Sequence, residues 1–316
     1  MRVTQGENAI YLQQDQHIRN LLQDVDLADV NEYDTPMACG FNLDSKDSKP
    51  LNTRLSGRYK SLIGGLLYIA GYSRPDISFS VSLLARCVQN PHWIHWKAAR
   101  RVLGYLKKTI DFSLVFPRSE SELKVYAWCD ADWAGDPITR RSTDGIAVFV
   151  GESLVAWKSK LQPTTALSTC EAEIRSLSNG TMEALAQQYL LENIYGELAN
   201  NEIQLLNDNK SAVDVSRQTS HFSKLKHVEL RHLFVREVVQ SGKAEIRCIS
   251  STEMIADIFT KPLDFSKFDK LRKRLNLGTQ LAKQSSSGSV GAQAMFSCAR
   301  TAETDCTCDL GIWHRY

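Results

Sequence analysis

One stretch near the middle of the chain decides its fold: Leu123-Lys124-Val125-Tyr126-Ala127-Trp128-Cys129-Asp130. Its aliphatic side chains recur at every second position, Leu123, Val125 and Ala127, and a period of two is typical of a β-strand. The strand ends at Asp130, whose side chain is expected to project from the edge of the sheet. Upstream, in residues 58–116, the apolar side chains recur at helical spacing instead. The period of the apolar residues therefore changes at about residue 120.

Downstream of this strand, apolar runs and helical patterns alternate along about 150 residues. Two more strands, separated by a turn at Gly151-Glu152, precede a long helix at 170–196. The remaining predicted elements are a strand at 203–206, helices at 209–216 and 225–240, a strand at 246–249, and helices near 253–260 and 266–276. Strands interleaved with helices predict an α/β fold with a mixed sheet.

The chain ends differ from this middle part. A short strand at 9–12 and a helix with Ile18, Leu21, Leu22 and Val25 on one face precede a polar, turn-rich segment that indicates a linker. The last residues, from 279, are rich in Gln, Ser and Gly and have no amphipathic period, which predicts disorder.

The composition is that of an ordinary globular protein. The 316 residues are 43% hydrophobic and 23% charged, and the formal net charge is +2. This balance neither requires nor excludes a nucleic-acid partner, because local clustering decides that point. No apolar run approaches the roughly 18 residues of a membrane span, and residues 1–8 lack the apolar core of a signal peptide. We therefore expect an intracellular protein without a membrane partner.

Four acidic residues stand where predicted elements begin or end: Asp130, Glu173, Asp208 and Asp257. Four carboxylates that converge on one sheet edge repel each other unless cations lie between them, and ligands with oxygen donors only favour Mg²⁺ or Mn²⁺. Two such ions roughly 4 Å apart can activate a water and stabilise the leaving oxygen of a phosphodiester. Taken singly, each acid is better explained as a solvated loop carboxylate or a helix cap, and it is their joint placement that favours a metal site.

Several motifs resemble the ribonuclease H domain of copia-type retrotransposon polyproteins. They are Tyr126-Ala127-Trp128-Cys129-Asp130-Ala131-Asp132-Trp133-Ala134-Gly135, Arg141-Ser142-Thr143-Asp144-Gly145, Trp157-Lys158-Ser159-Lys160-Leu161-Gln162-Pro163, Ala166-Leu167-Ser168-Thr169-Cys170-Glu171-Ala172-Glu173, Asn207-Asp208-Asn209-Lys210, Lys226-His227-Val228-Glu229-Leu230-Arg231 and Ala256-Asp257-Ile258-Phe259-Thr260-Lys261-Pro262-Leu263. The resemblance implies a ribonuclease H-like fold, a five-stranded mixed sheet with flanking helices. It also implies cleavage of the RNA strand of an RNA–DNA hybrid with two Mg²⁺ ions, for which Mn²⁺ can substitute. The catalytic metal ligands it implies are Asp130, Glu173, Asp208 and Asp257.

The resemblance extends upstream, through Tyr59-Lys60-Ser61-Leu62-Ile63-Gly64, Arg74-Pro75-Asp76-Ile77 and His95-Trp96-Lys97-Ala98-Ala99-Arg100. It implies the end of a reverse transcriptase domain at 1–37, a linker at 38–57, a helical connection segment at 58–117, the ribonuclease H-like domain at 118–278 and an unrelated tail at 279–316. The polymerase motif Tyr-x-Asp-Asp is absent from the sequence, which contains no Asp-Asp pair. No DNA synthesis is therefore expected of this chain alone.

Basic residues in the same domain are candidate contacts to the phosphates of the hybrid: Arg140, Arg141, Lys158, Lys160, Lys226, His227 and Arg231. The alternative for about half of the basic residues is ordinary solvation at the surface. The expected partners are an RNA–DNA hybrid and the remainder of a Pol polyprotein, with no small-molecule substrate. The expected location is the cytoplasm, within a virus-like particle, or the nucleus. The alternative function is a catalytically idle fragment that binds nucleic acid or protein.

Four further positions carry expectations. Trp128 and Trp133 flank Asp130; contact with sugars is one interpretation, but burial under the sheet is favoured because Trp is common in cores. Cys129 stands where the family usually has Ser. Gly180 lies inside the long predicted helix, where it costs about 1 kcal/mol relative to Ala, and this indicates relaxed constraint.

Overall fold

The computed structural model describes residues 1–24, 30–44, 46–118, 123–196, 201–217 and 229–279. Within these residues the strands form two sheets. The smaller sheet is antiparallel and has the order β1-β2-β3-β9. Its strands are β1 Arg2–Gln5, β2 Ala9–Gln13, β3 Ser113–Pro117 and β9 Leu277–Gly278. The larger sheet contains β4 Val125–Asp132, β5 Thr143–Val150, β6 Ser153–Leu161, β7 Ile203–Asn207 and β8 Ala244–Cys248.

The helices fall into two groups along the chain. The first comprises α1 Asp15–Asp24, α2 Thr53–Tyr72, α3 Ser78–Ala85 and α4 Trp93–Lys108; the second comprises α5 Thr169–Tyr195, α6 Lys210–Arg217, α7 Glu229–Gln240 and α8 Phe265–Arg274. Short 3-10 helices occupy Pro75–Ile77 and Ile255–Phe259. Capping side chains fix several starts: Ser168, for example, accepts a hydrogen bond from the backbone N–H of Glu171 and begins α5.

The larger sheet has the strand order β6-β5-β4-β7-β8. Strands β4, β5 and β6 form an antiparallel meander, whereas β7 and β8 run parallel to β4. With α5, α6 and α7 packed on one face, this mixed sheet has the ribonuclease H-like fold, which confirms the predicted fold class. The mostly helical region that precedes the sheet is confirmed as well.

Both faces of the larger sheet are covered. Val125 and Ala127 of β4 pack against Ile174 and Leu177 of α5. The next side chains along the strands, such as Trp128, lie on the opposite face in one continuous apolar core with residues of α2, α3, α4, α8 and the second 3-10 helix. The helical region and the sheet therefore share a core.

Polar contacts also join the helical region to the sheet. Arg86, which follows α3, donates to the buried carboxylate of Asp136 at 2.8 Å in the loop after β4. Within the helical region, the fully buried Arg74 pairs with Asp76, and Tyr105 donates to the same carboxylate at 2.5 Å. The ring of Tyr105 in turn packs edge-on against Phe268 of α8. These contacts fix α8 against the first part of the chain.

The structure differs from the sequence predictions at several boundaries. Helix α2 begins at Thr53, inside the predicted linker, because Asn52 caps it through the N–H of Leu55. The predicted helical segment ends in a strand, β3, whose partners β2 and β9 lie far away in the sequence and leave no local signal. Val25 and the tail beyond residue 279 lie outside the described residues. Among the described helices, none is both long and apolar enough to cross a bilayer.

Candidate active site

Three of the four predicted acids meet at one edge of the larger sheet. Each of Asp130, Glu173 and Asp208 offers a carboxylate oxygen within 4.8 Å of the others. The topology explains this convergence: β4 and β7 are parallel neighbours, with Trp128 opposite Leu206, so the residues two positions further on lie side by side. Helix α5 begins over the same edge and supplies Glu173.

Neighbouring side chains hold these carboxylates in fixed orientations. Thr260 donates its hydroxyl to Asp130 Oδ2 at 2.6 Å, and Asn207 donates to Glu173 Oε2 at 2.8 Å. Ser176, one turn after Glu173, donates to the backbone carbonyl of Asp130 at 2.8 Å, which ties α5 directly to β4.

The electrostatics of the group favour a bound cation. Burial raises the pKa of Asp130 to about 7, with Lys261 opposing the rise and the charge of Asp257 adding to it. Burial also raises the pKa of Glu173 well above its usual range, and the charge of Asp130 adds to this effect. Clustered carboxylates that resist ionisation together are stabilised by a cation between them, and an all-oxygen donor set suits Mg²⁺ or Mn²⁺. The residues therefore fit the divalent metal that the sequence predicts.

Asp257 lies outside the group of three. It is buried in the 3-10 helix Ile255–Phe259 and forms ion pairs with Lys267 and with Lys261, whose Nζ lies 2.5 Å from Asp257 Oδ1. Lys261 Nζ also lies 3.9 Å from Asp130 Oδ2, so one lysine bridges the two acids. Sequence reasoning missed this lysine, although it stands four residues after Asp257 in a quoted motif.

The approach of this 3-10 helix to the sheet depends on Gly145 of β5. A Cβ atom at this glycine would lie 2.5 Å from Thr260 Cγ2 and 2.6 Å from the carbonyl oxygen of Ala256. Only glycine therefore allows Thr260 to reach Asp130 at this distance.

Two more acids near the site were not singled out by sequence reasoning. Asp132 ends β4, and burial raises its pKa. Asp144 of β5 is only 4% exposed, and its pKa is raised by burial, while hydrogen bonds from Gln162 and Asn179 oppose the rise. The available signal was the Arg141–Gly145 motif, which contains an acid flanked by polar residues.

The basic candidates do not form one uniform surface. Arg140 and Lys160 are exposed, Arg141 is half-buried, and Lys158 forms an ion pair with Glu183 of α5. Arg231 lies close enough to lower the pKa of buried Asp144, so its positive charge acts on a carboxylate inside the protein as well as on the solvent side. The other two candidates, Lys226 and His227, lie outside the described residues.

The tryptophan prediction is half right. Trp128 is buried as expected, but Trp133 is 46% exposed, and its indole N–H donates to the carbonyl of Ala166 at 3.1 Å. Trp133 follows Asp132, the last residue of β4, and so lies beyond the end of the strand.

The interpretation of Gly180 as a relaxed position is wrong. A Cβ atom there would lie 2.1 Å from the Sγ atom of Cys129, which is fully buried on β4. The glycine is therefore needed for α5 to lie against the strand that carries Asp130.

Comparison with known proteins shows that the chain is similar to proteins of mobile elements. It is 30% identical over 273 residues to the retrovirus-related Pol polyprotein from transposon TNT 1-94 of Nicotiana tabacum. This alignment covers 85% of the chain and 20% of that protein. It is also 32% identical over 278 residues to the retrovirus-related Pol polyprotein from transposon RE2 of Arabidopsis thaliana. This second alignment covers 87% of the chain and 18% of that protein. The chain thus spans about a fifth of the length of these relatives.

No protein-family model matches the chain. Among solved structures, the N-terminal ribonuclease H domain of a Mycobacterium tuberculosis protein aligns with 48% of the chain and 97% of that domain, at 16% identity and a TM-score of 0.33. The strand order gives the chain a ribonuclease H-like domain, and over most of its length the chain is similar to the Pol polyproteins of copia-type retrotransposons.

Proposed function

We propose that this chain is a metal-dependent ribonuclease H that hydrolyses the RNA strand of an RNA–DNA hybrid during reverse transcription. The observation that carries the proposal is the convergence of three carboxylates, two of them buried, at the edge of the ribonuclease H-like sheet. Their oxygen donors fit Mg²⁺, and the relatives of the chain are Pol polyproteins of retrotransposons, elements that replicate through such hybrids.

The proposed catalytic and metal-binding set is Asp130, Glu173, Asp208 and Asp257, and the proposed cofactor is two Mg²⁺ ions, with Mn²⁺ as a substitute. Bound Mg²⁺ would supply the positive charge that activates a water and stabilises the leaving oxygen of the phosphodiester. We include Asp257 in the set because the resemblance assigns it; in support, Lys261 contacts both Asp257 and Asp130.

The neighbouring residues of the chain orient this set. Asn207 and Thr260 each fix one carboxylate oxygen, so Glu173 and Asp130 are held in place before a ligand arrives. Such preorganisation lowers the reorganisation that binding requires. Lys261 is 39% exposed at its side chain and contributes a positive charge at the mouth of the site, where a phosphate of the substrate would lie.

The proposed substrate contacts are electrostatic and independent of sequence. Arg140, Arg141 and Lys160 lie on the loop after β4 and on β6, where they are available to phosphates. Proteins recognise A-like duplexes mainly through their shape and backbone. Lys158, Lys226, His227 and Arg231 remain proposed contacts to the hybrid, and the rest of a Pol polyprotein remains a proposed partner.

The test uses the whole chain, because the sheet and the helical region share a core. A labelled RNA–DNA hybrid is incubated with the protein and Mg²⁺ or Mn²⁺, beside Asp208→Asn and the control Asp214→Asn. Asp208 is half-buried beside the other two acids, whereas Asp214 is an exposed acid on α6. We expect metal-dependent cleavage of the RNA strand that Asp208→Asn reduces by at least a hundredfold and that Asp214→Asn leaves unchanged.

Calorimetric titration with Mn²⁺ gives the second readout. The wild type and Asp214→Asn should bind Mn²⁺, and Asp208→Asn should bind it at least tenfold more weakly, because it removes a ligand. A folded wild type that binds Mn²⁺ but cuts no hybrid would contradict the proposal and favour a fragment that only binds nucleic acid or protein.

A further inference from the structure

Asp144 and Gln162, each part of a motif quoted above, have no role in the proposed chemistry, yet both lie beside the proposed site. Asp144 and Gln162 are 4% and 1% exposed, and Asp144 stands on β5 opposite Ala131, the residue after Asp130. The side chain of Asp144 therefore lies on the face of the sheet that α5 covers, close to the start of that helix.

Both oxygens of the Asp144 carboxylate accept hydrogen bonds from amide groups. Oδ1 accepts from Gln162 Nε2 at 2.6 Å, and Oδ2 accepts from Asn179 Nδ2 at 2.7 Å. The same Gln162 nitrogen also donates to the carbonyl of Ala172 at 2.9 Å. Asp144 is thus connected to α5 at two positions. One is Asn179, which it contacts directly, and the other is Ala172, the residue before Glu173, which it reaches through Gln162.

These two ties enclose the metal-binding part of the helix. Glu173 lies between Ala172 and Asn179, and so does Ser176, which binds the backbone of β4. Helix α5 is therefore fixed to β5 and to β4 by polar contacts on either side of Glu173. A shift of this helix by a few tenths of an ångström would change the distance from Glu173 to Asp130.

The chemistry of the contact requires a carboxylate. An aspartate presents two acceptor oxygens to two amide donors, whereas an asparagine would turn its own NH₂ group towards one of them. Burial raises the pKa of Asp144, and after the two amide hydrogen bonds the charges of Arg231 and Arg175 oppose part of this rise. Because both of its oxygens are engaged and it lies outside the group of three acids, Asp144 is not placed to bind the metal itself.

We propose that Asp144 is a positioning residue that holds Glu173 at its place in the metal site through Gln162 and Asn179. This inference rests on the proposed ribonuclease H function. It assigns a role to the Arg141–Gly145 and Trp157–Pro163 motifs: Asp144 fixes the α5 side of the site, while its neighbour Gly145 admits the 3-10 helix on the other side.

The test exchanges the two partners in the full-length chain. Asp144→Asn should weaken Mn²⁺ binding, measured by calorimetry on folded protein, by about 10–100-fold, as loss of outer contacts to metal ligands commonly does. The double variant Asp144→Asn, Asn179→Asp restores complementarity, because the amide introduced on β5 would accept from Gln162 and donate to the carboxylate introduced on α5. It should bind Mn²⁺ within threefold of the wild type and recover hybrid cleavage.

Asn179→Ala removes only one tie and serves where Asp144→Asn does not fold; it should weaken Mn²⁺ binding by about tenfold. A purely structural role would lower the unfolding free energy of the variants while the folded fraction bound Mn²⁺ with wild-type affinity, and that result would overturn the inference. Failure of the exchange variant to recover Mn²⁺ affinity would overturn it too. A wild type that binds no Mn²⁺ would overturn the proposed function, and this inference with it.

Discussion

Replacement of Gly180 by alanine is expected to force α5 away from β4. The added Cβ atom would lie 2.1 Å from Cys129 Sγ and 3.6 Å from Cys129 Cβ, whereas carbon atoms in contact are about 3.5–4.0 Å apart. The thiol is fully buried, so in a close-packed core it can turn aside only by displacing its neighbours. Helix and strand must therefore separate by roughly 1.5 Å, which is the difference between the 2.1 Å from the added Cβ to Cys129 Sγ and an ordinary contact distance.

Two opposing effects determine the magnitude. Overpacking a filled core costs about 1–3 kcal/mol, whereas alanine in place of glycine stabilises a helix by about 1 kcal/mol. We therefore expect Gly180→Ala to lower the unfolding free energy by up to about 2 kcal/mol. Because α5 carries Glu173, the same separation should also weaken Mn²⁺ binding by several-fold.

Urea denaturation of four proteins tests this reasoning: wild type, Gly180→Ala, Cys129→Ala and the double variant. Removal of the thiol makes room for the new methyl group, so the double-mutant cycle should give a favourable coupling of about 1–3 kcal/mol. Gly64→Ala is the matched control, because Gly64 lies on an exposed face of α2 with open space around it, and it should stabilise by about 0.5–1 kcal/mol. A coupling near zero would refute the proposed contact.

Three other predictions follow from the electrostatics and the shared core. Burial raises the pKa of Asp130 from 3.8 to about 7, so between these values the folded metal-free protein binds more protons than the unfolded chain. Its unfolding free energy should fall as the pH rises from 5 to 8 and recover with saturating Mn²⁺; urea titrations across this range showing no slope would contradict this. Arg86→Met leaves Asp136 without its cation and should cost about 1.5–3 kcal/mol in urea denaturation, while no loss would mean that the contact is not stabilising. Residues 118–279 alone should expose the sheet face that Trp128 occupies and bind a hydrophobic dye that the full chain does not bind, and a compact, dye-free fragment would show that the shared core is dispensable.

The sequence predicted the part of the site that depends on strand ends. Alternation of apolar residues located β4, and a short apolar run located β7, so Asp130 and Asp208 could be placed at neighbouring ends without knowledge of the tertiary structure. Both signals are local, because they depend only on the order of apolar and polar residues within a few positions of the chain. Glu173 followed from the start of the long helix in the same way.

Asp257 shows where this kind of reasoning stops. Its place outside the group of three depends on ion pairs with Lys261 and Lys267 and on the passage of its 3-10 helix over Gly145, more than 100 residues earlier in the chain. Contacts between such distant residues leave no periodic pattern. The interpretation of Gly180 failed for the same reason: helix propensity describes an isolated helix, and the space that the thiol of Cys129 occupies is a tertiary feature.

The shared core changes the role of the first 117 residues. The resemblance implied the end of a reverse transcriptase domain, a linker and a connection segment ahead of a separate ribonuclease H-like domain. In the structure, Trp128, Phe149 and Leu154 of the sheet are buried in the same cluster as residues of α2, α3 and α4. Full burial of three such side chains contributes about 5–9 kcal/mol together, which is comparable with the roughly 5–15 kcal/mol that separates a typical folded protein from its unfolded state. The helical region and the sheet should therefore unfold as one unit. The helices that cover this face thus stabilise the strand that presents Asp130, although they supply none of the proposed metal ligands.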